Sequence, residues 1–325
     1  MLEDKISSFF GPSLVTGGAG FIGSHLVDKL VQSSNQVKVL DNLSSGSLSN
    51  LTGSGGKYEF IKKDLKNFDG SEDFMKEVKT VFHMAANPEV RTGYQNPEMS
   101  FNENILSTFR LLETIRKFDI QSIVFASSST VYGESEIIPT PEDFAPLLPI
   151  SPYGASKLAC EALISSYCHN YGIDGTMCRF ANIVGSRSNH GVIYDFVKKL
   201  QKNNSTLEVL GDGKQTKSYV YVNDCIDGFF FSALNKKNKV ELFNMGNVDD
   251  TNVLKIAEIV IEMLGLKNVE IKITGGVDGG RGWKGDVKKM NLDISKLKNL
   301  GWSPKISSDE AVKLSTTEIL QELTS

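Results

Sequence analysis

Short apolar runs alternate along this chain with stretches in which apolar residues recur every three to four positions. Leu14-Val15 is the first run. Behind it, Ile22, Leu26 and Leu30 stand at i, i+4 and i+8, with Val27 and Val31 on the adjoining row, which predicts a helix laying one face on a sheet. Residues 37–40, 58–61, 80–86, 122–126 and 176–180 read as further strands, several of them nearly continuous in apolar residues. Between them, 102–117 carries an apolar helix face of Ile105, Phe109, Leu112 and Ile115. Another helix opens at Ser151-Pro152, a capping hydroxyl and then a proline at the first helical position, and closes at Gly172. Apolar strands alternating with helices predict an α/β fold, a doubly wound parallel sheet of Rossmann type covered on both faces.

Past Asn182 the alternation weakens. The pattern predicts a helix over 192–201, a strand over 206–210, a turn at Gly211-Asp212-Gly213 and a strand over 219–222 leading to Asp224 and a helix. A strand at 242–245 returns to the sheet. Helix 253–264, strand 269–273, a mobile loop over 275–285 and helices near 293–300 and 307–322 then form a smaller C-terminal α/β cap. No internal repeat interrupts this order.

The turn after Leu14-Val15-Thr16 holds Gly17, Gly20 and Gly23 spaced G-x-x-G-x-x-G, followed by the first helix. Glycine tolerates positive φ and lets backbone amides approach a ligand, and the N-terminus of the helix suits a diphosphate. Glycine turns of this kind also occur for structural reasons alone. The second strand, however, ends in Asp41, placed where an acid accepts hydrogen bonds from a ribose 2′-hydroxyl. That acid repels a 2′-phosphate, and Asn42-Leu43-Ser44-Ser45 offers no arginine to receive one, so NAD is favoured over NADP. As a plain structural residue, Asp41 is a turn former, and Asp64 after the third strand is either an adenine contact or a helix cap. His83 reads more readily as a satisfied core residue than as a catalyst.

With 325 residues the chain has room for one large or two moderate domains. A net charge of −4 argues against nucleic acid as a partner, and no run of about eighteen apolar residues points to a membrane. Phe9-Phe10 closes a short polar leader without the features of a secretory signal. The cysteines, Cys160, Cys168, Cys178 and Cys225, lack C-x-x-C or metal-ligand spacing; reduced thiols in a cytoplasmic protein and no metal site are expected.

Tyr153 and Lys157 stand at i and i+4 on one helix face, and Ser128 and Ser129 arrive at the end of the fifth strand. Tyr-x-x-x-Lys by itself is common in helices; with a neighbouring serine it suits removal of a proton from an alcohol. A free tyrosine titrates near ~10, so a phenolate at neutrality requires a fall of about 3, or roughly 4 kcal/mol. An ammonium at ~4 Å in an effective dielectric of about 20 supplies that much, so Lys157 is expected to suffice.

Thr16-Gly-Gly-Ala-Gly-Phe-Ile-Gly23, Asp41-Asn-Leu, His83-Met-Ala-Ala86, Ser127-Ser-Ser-Thr-Val-Tyr-Gly133, Tyr153-Gly-Ala-Ser-Lys157 and Arg179-Phe-Ala-Asn182 together resemble the extended short-chain dehydrogenases/reductases of the NAD-dependent epimerase/dehydratase group. Within it they look most like UDP-glucose 4-epimerases, and Arg281-Gly-Trp-Lys-Gly-Asp286 supports the placement. The resemblance implies NAD held by Gly17, Gly20, Phe21, Ile22, Gly23, Asp41, Asn42, Asp64, Leu65, Ala85, Ala86, Asn104, Tyr153 and Lys157. It implies Tyr153 as general base, Lys157 as its partner and Ser128 as donor to the reacting sugar oxygen. Ser128, Ser129, Asn182, Lys217 and Arg281 would meet the nucleotide-sugar. Residues 1–181 and 217–252 would form the NAD-binding domain, and 182–216 and 253–325 the nucleotide-sugar domain, in a homodimer paired through the helices near 100–117 and 153–170.

The implied reaction is interconversion of UDP-glucose and UDP-galactose through a 4-keto sugar. Its nearest rival is a nucleotide-sugar 4,6-dehydratase, which needs an acid directly after the active-site threonine. In this chain Thr130 is followed by Val131-Tyr132-Gly133, with no acid until Glu134. A non-catalytic NAD sensor on the same fold is the rival from another class. Three departures touch the ligands: Lys217 where many relatives carry arginine, Arg281 offset from the usual arginine before Gly-Asp, and Pro88 in place of a cofactor-binding lysine.

Overall fold

The computed structural model describes residues 2–91 and 93–324. Its first half runs α1 (Leu2–Phe10), β1 (Ser13–Thr16), α2 (Phe21–Gln32), β2 (Val37–Asp41), β3 (Glu59–Lys62), β4 (Thr80–His83), α3 (Pro97–Ser100), a π-helical stretch (Phe101–Leu106), α4 (Ser107–Lys117), β5 (Ser122–Ser128), α5 (Pro152–Tyr171) and β6 (Asp174–Phe180). The second half adds β7 (Asn182–Val184), α6 (Val192–Lys202), β8 (Thr206–Val209), β9 (Thr216–Lys217), β10 (Tyr219–Tyr221), α7 (Val222–Asn235), β11 (Val240–Met245), β12 (Thr251–Asn252), α8 (Val253–Met263), β13 (Glu270–Ile273), β14 (Lys289–Met290), α9 (Ser295–Leu300) and α10 (Ser308–Thr324).

Seven parallel strands pair in the order β3-β2-β1-β4-β5-β6-β11, the predicted doubly wound sheet. Successive residues on a strand point to opposite faces, so a strand buried on both needs apolar side chains throughout. Val15, Phe82, Val124 and Cys178 accordingly pack with α2 and α7 on one face, while Leu14, Val81, Ile123 and Met177 pack with α4 and α5 on the other. Ser151 caps α5 by accepting from the Gly154 amide at 3.0 Å, and Gly172 ends it at φ +77°, as the pattern predicts.

The leader is not a polar tail. It folds as α1, with Ile6 and Phe10 one turn apart and both buried. Phe10 sits edge-on to Phe82 at 5.1 Å between ring centres, and Phe230 lies 5.6 Å away.

The strand order reverses between β1 and β4, and the carboxyl ends of these strands carry Gly17, Asp41, Ala85 and Ser128 to one edge, where open α/β sheets receive ligands. A third apolar cluster, built from α6, β8, α8 and α10, forms beside that edge with the short sheets β10-β7, β12-β9-β14 and β13-β8. Leu297 of α9 and Trp302 pack instead with the core between the large sheet and α7. Among the described residues no helix is long and apolar enough to cross a membrane.

Candidate active site

The glycines differ in what they permit. Gly17 lies at φ +66°, and a Cβ there would fall 2.7 Å from the backbone N and Cα of Ala85. A Cβ on Gly23 would lie 2.1 Å from the Gly17 carbonyl oxygen, so these two positions fold the turn tightly under the start of α2. Gly20 meets only that same oxygen, at 3.2 Å, and directly precedes α2, whose N-terminus carries no side-chain cap. The first amides of α2 are thereby left open. Phe21 and Ile22 open the helix and pack half-buried on the core beneath the turn.

Asp41 is buried against the turn. Its Oδ2 accepts from the Ala19 amide at 3.0 Å and its Oδ1 from the Leu43 amide at 2.8 Å, so it braces the glycine loop as well as ending β2. Asn42 donates from Nδ2 to Asp64 Oδ2 at 3.0 Å. Asp64 also caps a short 3-10 helix (Leu65–Asn67) by accepting from the Lys66 amide at 2.9 Å, and Leu65 is buried in the core.

At the end of β4, His83 is satisfied on both nitrogens. Thr108 donates to the Asn104 carbonyl at 2.7 Å and so accepts from His83 Nε2 at 2.9 Å; Nδ1 then accepts from Thr16 Oγ1 at 2.8 Å. Burial, reinforced by the Lys157 charge, pushes His83 down to about 3, which keeps it neutral. Thr16 Oγ1 accepts in turn from the Ala85 amide at 3.3 Å, which fixes Ala85 and, next to it, Ala86. Asn104 sits in the π-helical stretch, fully occupied: its Oδ1 accepts from the Asn87 amide at 2.8 Å and its Nδ2 donates to Ser156 Oγ at 2.8 Å. It clamps the segment after β4 to α5, one residue from Lys157.

Ser128, Tyr153 and Lys157 meet at the end of β5. Ser128 caps a 3-10 helix (Ser129–Tyr132), accepting from Thr130 N at 3.2 Å and Thr130 Oγ1 at 2.9 Å, so its own hydroxyl proton is free to point elsewhere. The Ser128 hydroxyl faces the Tyr153 phenol closely enough to favour its ionised form. Ser129 is buried at the head of the same 3-10 helix. The charge expectation is corrected: Lys157 Nζ donates to the Ala126 carbonyl at 2.8 Å and lies 5.8 Å from the centre of the Tyr153 ring. Burial, which strips both groups of water, pushes Tyr153 up to about 12 and Lys157 down to about 8. Lys157 alone does not make a phenolate at neutrality.

The remaining residues lie beyond β6 in the chain. Asn182 begins β7 and donates from Nδ2 to the Ser218 carbonyl at 3.2 Å. Lys217 donates to the buried Asp286 carboxylate at 2.6 Å, and Arg281 donates to the Asp286 carbonyl at 2.8 Å, so the two predicted diphosphate contacts converge through Asp286. Arg281 also forks onto both oxygens of Glu134, with Nη2 donating to Oε2 at 2.6 Å. The loop over 275–285 is therefore pinned, further so by Lys288 donating to Asp212 at 2.6 Å.

Sequence reasoning missed the support behind the site. Glu161, one turn beyond Lys157, takes a bidentate pair from Arg179 at 2.9 and 2.7 Å and a 2.5 Å hydrogen bond from Ser127, all buried. The i+4 spacing from Lys157 was the available signal for Glu161; nothing in the sequence pairs Asp286 with Lys217 or Glu134 with Arg281.

Residues 14–315 match the family model described as GDP-mannose 4,6 dehydratase. The chain belongs to that family, within the extended short-chain dehydrogenases/reductases. Among curated relatives of this epimerase/dehydratase family, a putative UDP-glucose 4-epimerase of Methanocaldococcus jannaschii is 40% identical over 306 residues, covering 92% of this chain and 95% of the relative. A crystal structure of a UDP-galactose 4-epimerase is 44% identical with TM-score 0.86, covering 96% of this chain and 99% of that one. A UDP-glucuronic acid 4-epimerase from Bacillus cereus, solved with UDP-glucuronic acid and NAD, is 30% identical with TM-score 0.85 over 96% of this chain and 99% of its own.

Proposed function

We propose that this chain is an NAD-dependent nucleotide-sugar 4-epimerase acting on UDP-glucose and UDP-galactose. The observation that carries the reading is the meeting of Tyr153 with Ser128 above buried Lys157, at a 3-10 helix, Ser129–Tyr132, that holds no acid. A 4,6-dehydratase needs an acid there, and the first one, Glu134, lies beyond that helix, past Gly133.

The site fits NAD: a Cβ at Gly17 or Gly23 would fill the turn, the amides of α2 are uncapped, and the Asp41 carboxylate stands at the carboxyl end of the neighbouring strand. When bound, NAD would supply a reversible acceptor for the hydride on sugar carbon 4, so that losing that hydride together with the 4-hydroxyl proton yields a 4-keto sugar. Ser128 is positioned to donate its free proton to the sugar oxygen, and Tyr153 to take the hydroxyl proton. Lys157, fixed on Ala126, offers a positive charge that opposes the cost of the buried phenolate. Inversion also requires the sugar to turn while the nucleotide stays held, and the holding falls to Asn182, Lys217 and Arg281.

Incubating the protein with UDP-galactose and NAD is expected to yield a product of unchanged mass that comigrates with UDP-glucose. Loss of one water would identify a dehydratase, and no conversion of any nucleotide-sugar would favour the sensor. Asp41→Ala removes a buried carboxylate that accepts two backbone amides, and charge-assisted bonds of this kind contribute about 1.5–3 kcal/mol. NAD affinity, followed by fluorescence titration, is expected to fall by about tenfold or more.

The proposed division of labour assigns 1–181 and 217–252 to NAD and the rest to the nucleotide-sugar. Two copies would pair through α4 and α5 in the cytoplasm; the exposed Phe101 and Phe109 on that side support such pairing.

A further inference from the structure

The loop over 275–286 shows an arrangement that the proposed reaction does not itself require. Arg281 presents its guanidinium fork to Glu134, across 147 residues of sequence, and both carboxylate oxygens are taken. Glu134 follows Gly133, which lies at φ +65° with its Cβ direction blocked 2.0 Å away by the Leu148 carbonyl oxygen. The backbone carrying Glu134 therefore has little freedom, and it directly continues the 3-10 helix capped by Ser128. Arg281 keeps a second anchor, the Asp286 carbonyl at 2.8 Å, which does not depend on Glu134.

A second observation comes from the same loop. The indole Nε1 of Trp283 is buried with no hydrogen-bond partner, and its ring lies 5.4 Å from Lys217 Nζ. An orphaned buried donor costs free energy unless an acceptor arrives, so the loop is built with bonding capacity its own chain leaves unused. The acceptor chemistry that suits an indole N–H beside a lysine and an arginine fork is an oxyanion-rich group such as a diphosphate.

We propose that Glu134 is a specificity-determining residue that stands in for the substrate diphosphate on Arg281, so that a nucleoside diphosphate binds by displacing it. This rests on the nucleotide-sugar reading above. A carboxylate and a phosphate offer the guanidinium the same two-oxygen geometry, so they compete for one fork. The displaced carboxylate is half-exposed in the resting pair and returns to water at small cost. Ligands that cannot occupy the fork gain nothing from Arg281, and those that can bind more weakly than the cation alone would allow.

The test is isothermal titration of the NAD-loaded protein with UDP. Glu134→Gln, close in shape, is expected to tighten UDP binding by about three- to tenfold, and that gain is expected to vanish in an Arg281→Ala background. General damage does not tighten a ligand, so the direction of the change separates a latch from a structural role. Affinity unchanged or weakened in Glu134→Gln overturns the proposal, as does an equal gain without Arg281, which would reduce the effect to loss of a nearby negative charge. A native protein that fails to bind UDP also overturns it. A protein that binds UDP and shows the Arg281-dependent gain but converts no sugar leaves the latch standing and removes the epimerase reading.

Discussion

Tyr153→Phe is expected to lower turnover of the nucleotide-sugar by about 10²- to 10⁴-fold while the protein still folds and retains NAD. The substitution removes one oxygen and leaves the ring in place. The lost group faces Ser128, and it is the hydroxyl proposed to take the proton at the end of β5. The loss should fall on kcat with little change in KM, because the groups proposed to hold the nucleotide, Asn182, Lys217 and Arg281, lie on other elements and are untouched. Retained NAD, read from the absorbance of the denatured supernatant, separates lost chemistry from lost cofactor. Turnover above about a tenth of native would take the general-base role away from Tyr153.

That expectation depends on a site whose parts are legible in the sequence to different degrees. The glycine turn, Asp41 at the end of β2 and the Tyr153–Lys157 pair are local patterns, and each reports a backbone geometry within one or two turns of itself. The central strands are legible for the same reason, since burial on both faces leaves a nearly continuous apolar run. α1 is not: a short helix whose Ile6 and Phe10 are buried, it looks like a polar leader until Phe10 is seen against Phe82 and Phe230. The π-helical stretch at Phe101–Leu106 reads as ordinary helix, because its apolar spacing barely differs from that of α4. The charge state of Tyr153 escapes the sequence for a geometric reason. Helical spacing places Lys157 on the right face but does not reveal that Ala126 takes its hydrogen bond. Contacts such as Arg281 with Glu134 join segments whose proximity only the folded chain establishes.

The Arg179–Glu161 pair is the contact of this distant kind with the largest expected effect on stability. Arg179 leaves β6, Glu161 lies on α5, and Ser127 of β5 donates to the same carboxylate, so the pair ties together the three elements that carry Ser128 and Lys157. Both side chains are almost wholly enclosed. The guanidinium also lies 4.6 Å from the centre of the Tyr132 ring, whose hydroxyl donates to Asn244 at 2.7 Å. Arg179→Met leaves a buried carboxylate with Ser127 alone, and breaking a pair in this way is expected to cost about 3–5 kcal/mol in denaturant unfolding. Adding Glu161→Leu removes the stranded charge and should recover more than half of the loss, because an apolar pair of similar volume avoids the desolvation penalty. If the single substitution costs less than about 1 kcal/mol, the pair does not hold these elements together. The double variant, with stability restored, then asks whether the pair also positions the site: if Ser128 and Lys157 depend on it, kcat should stay low even in a protein that is again stable.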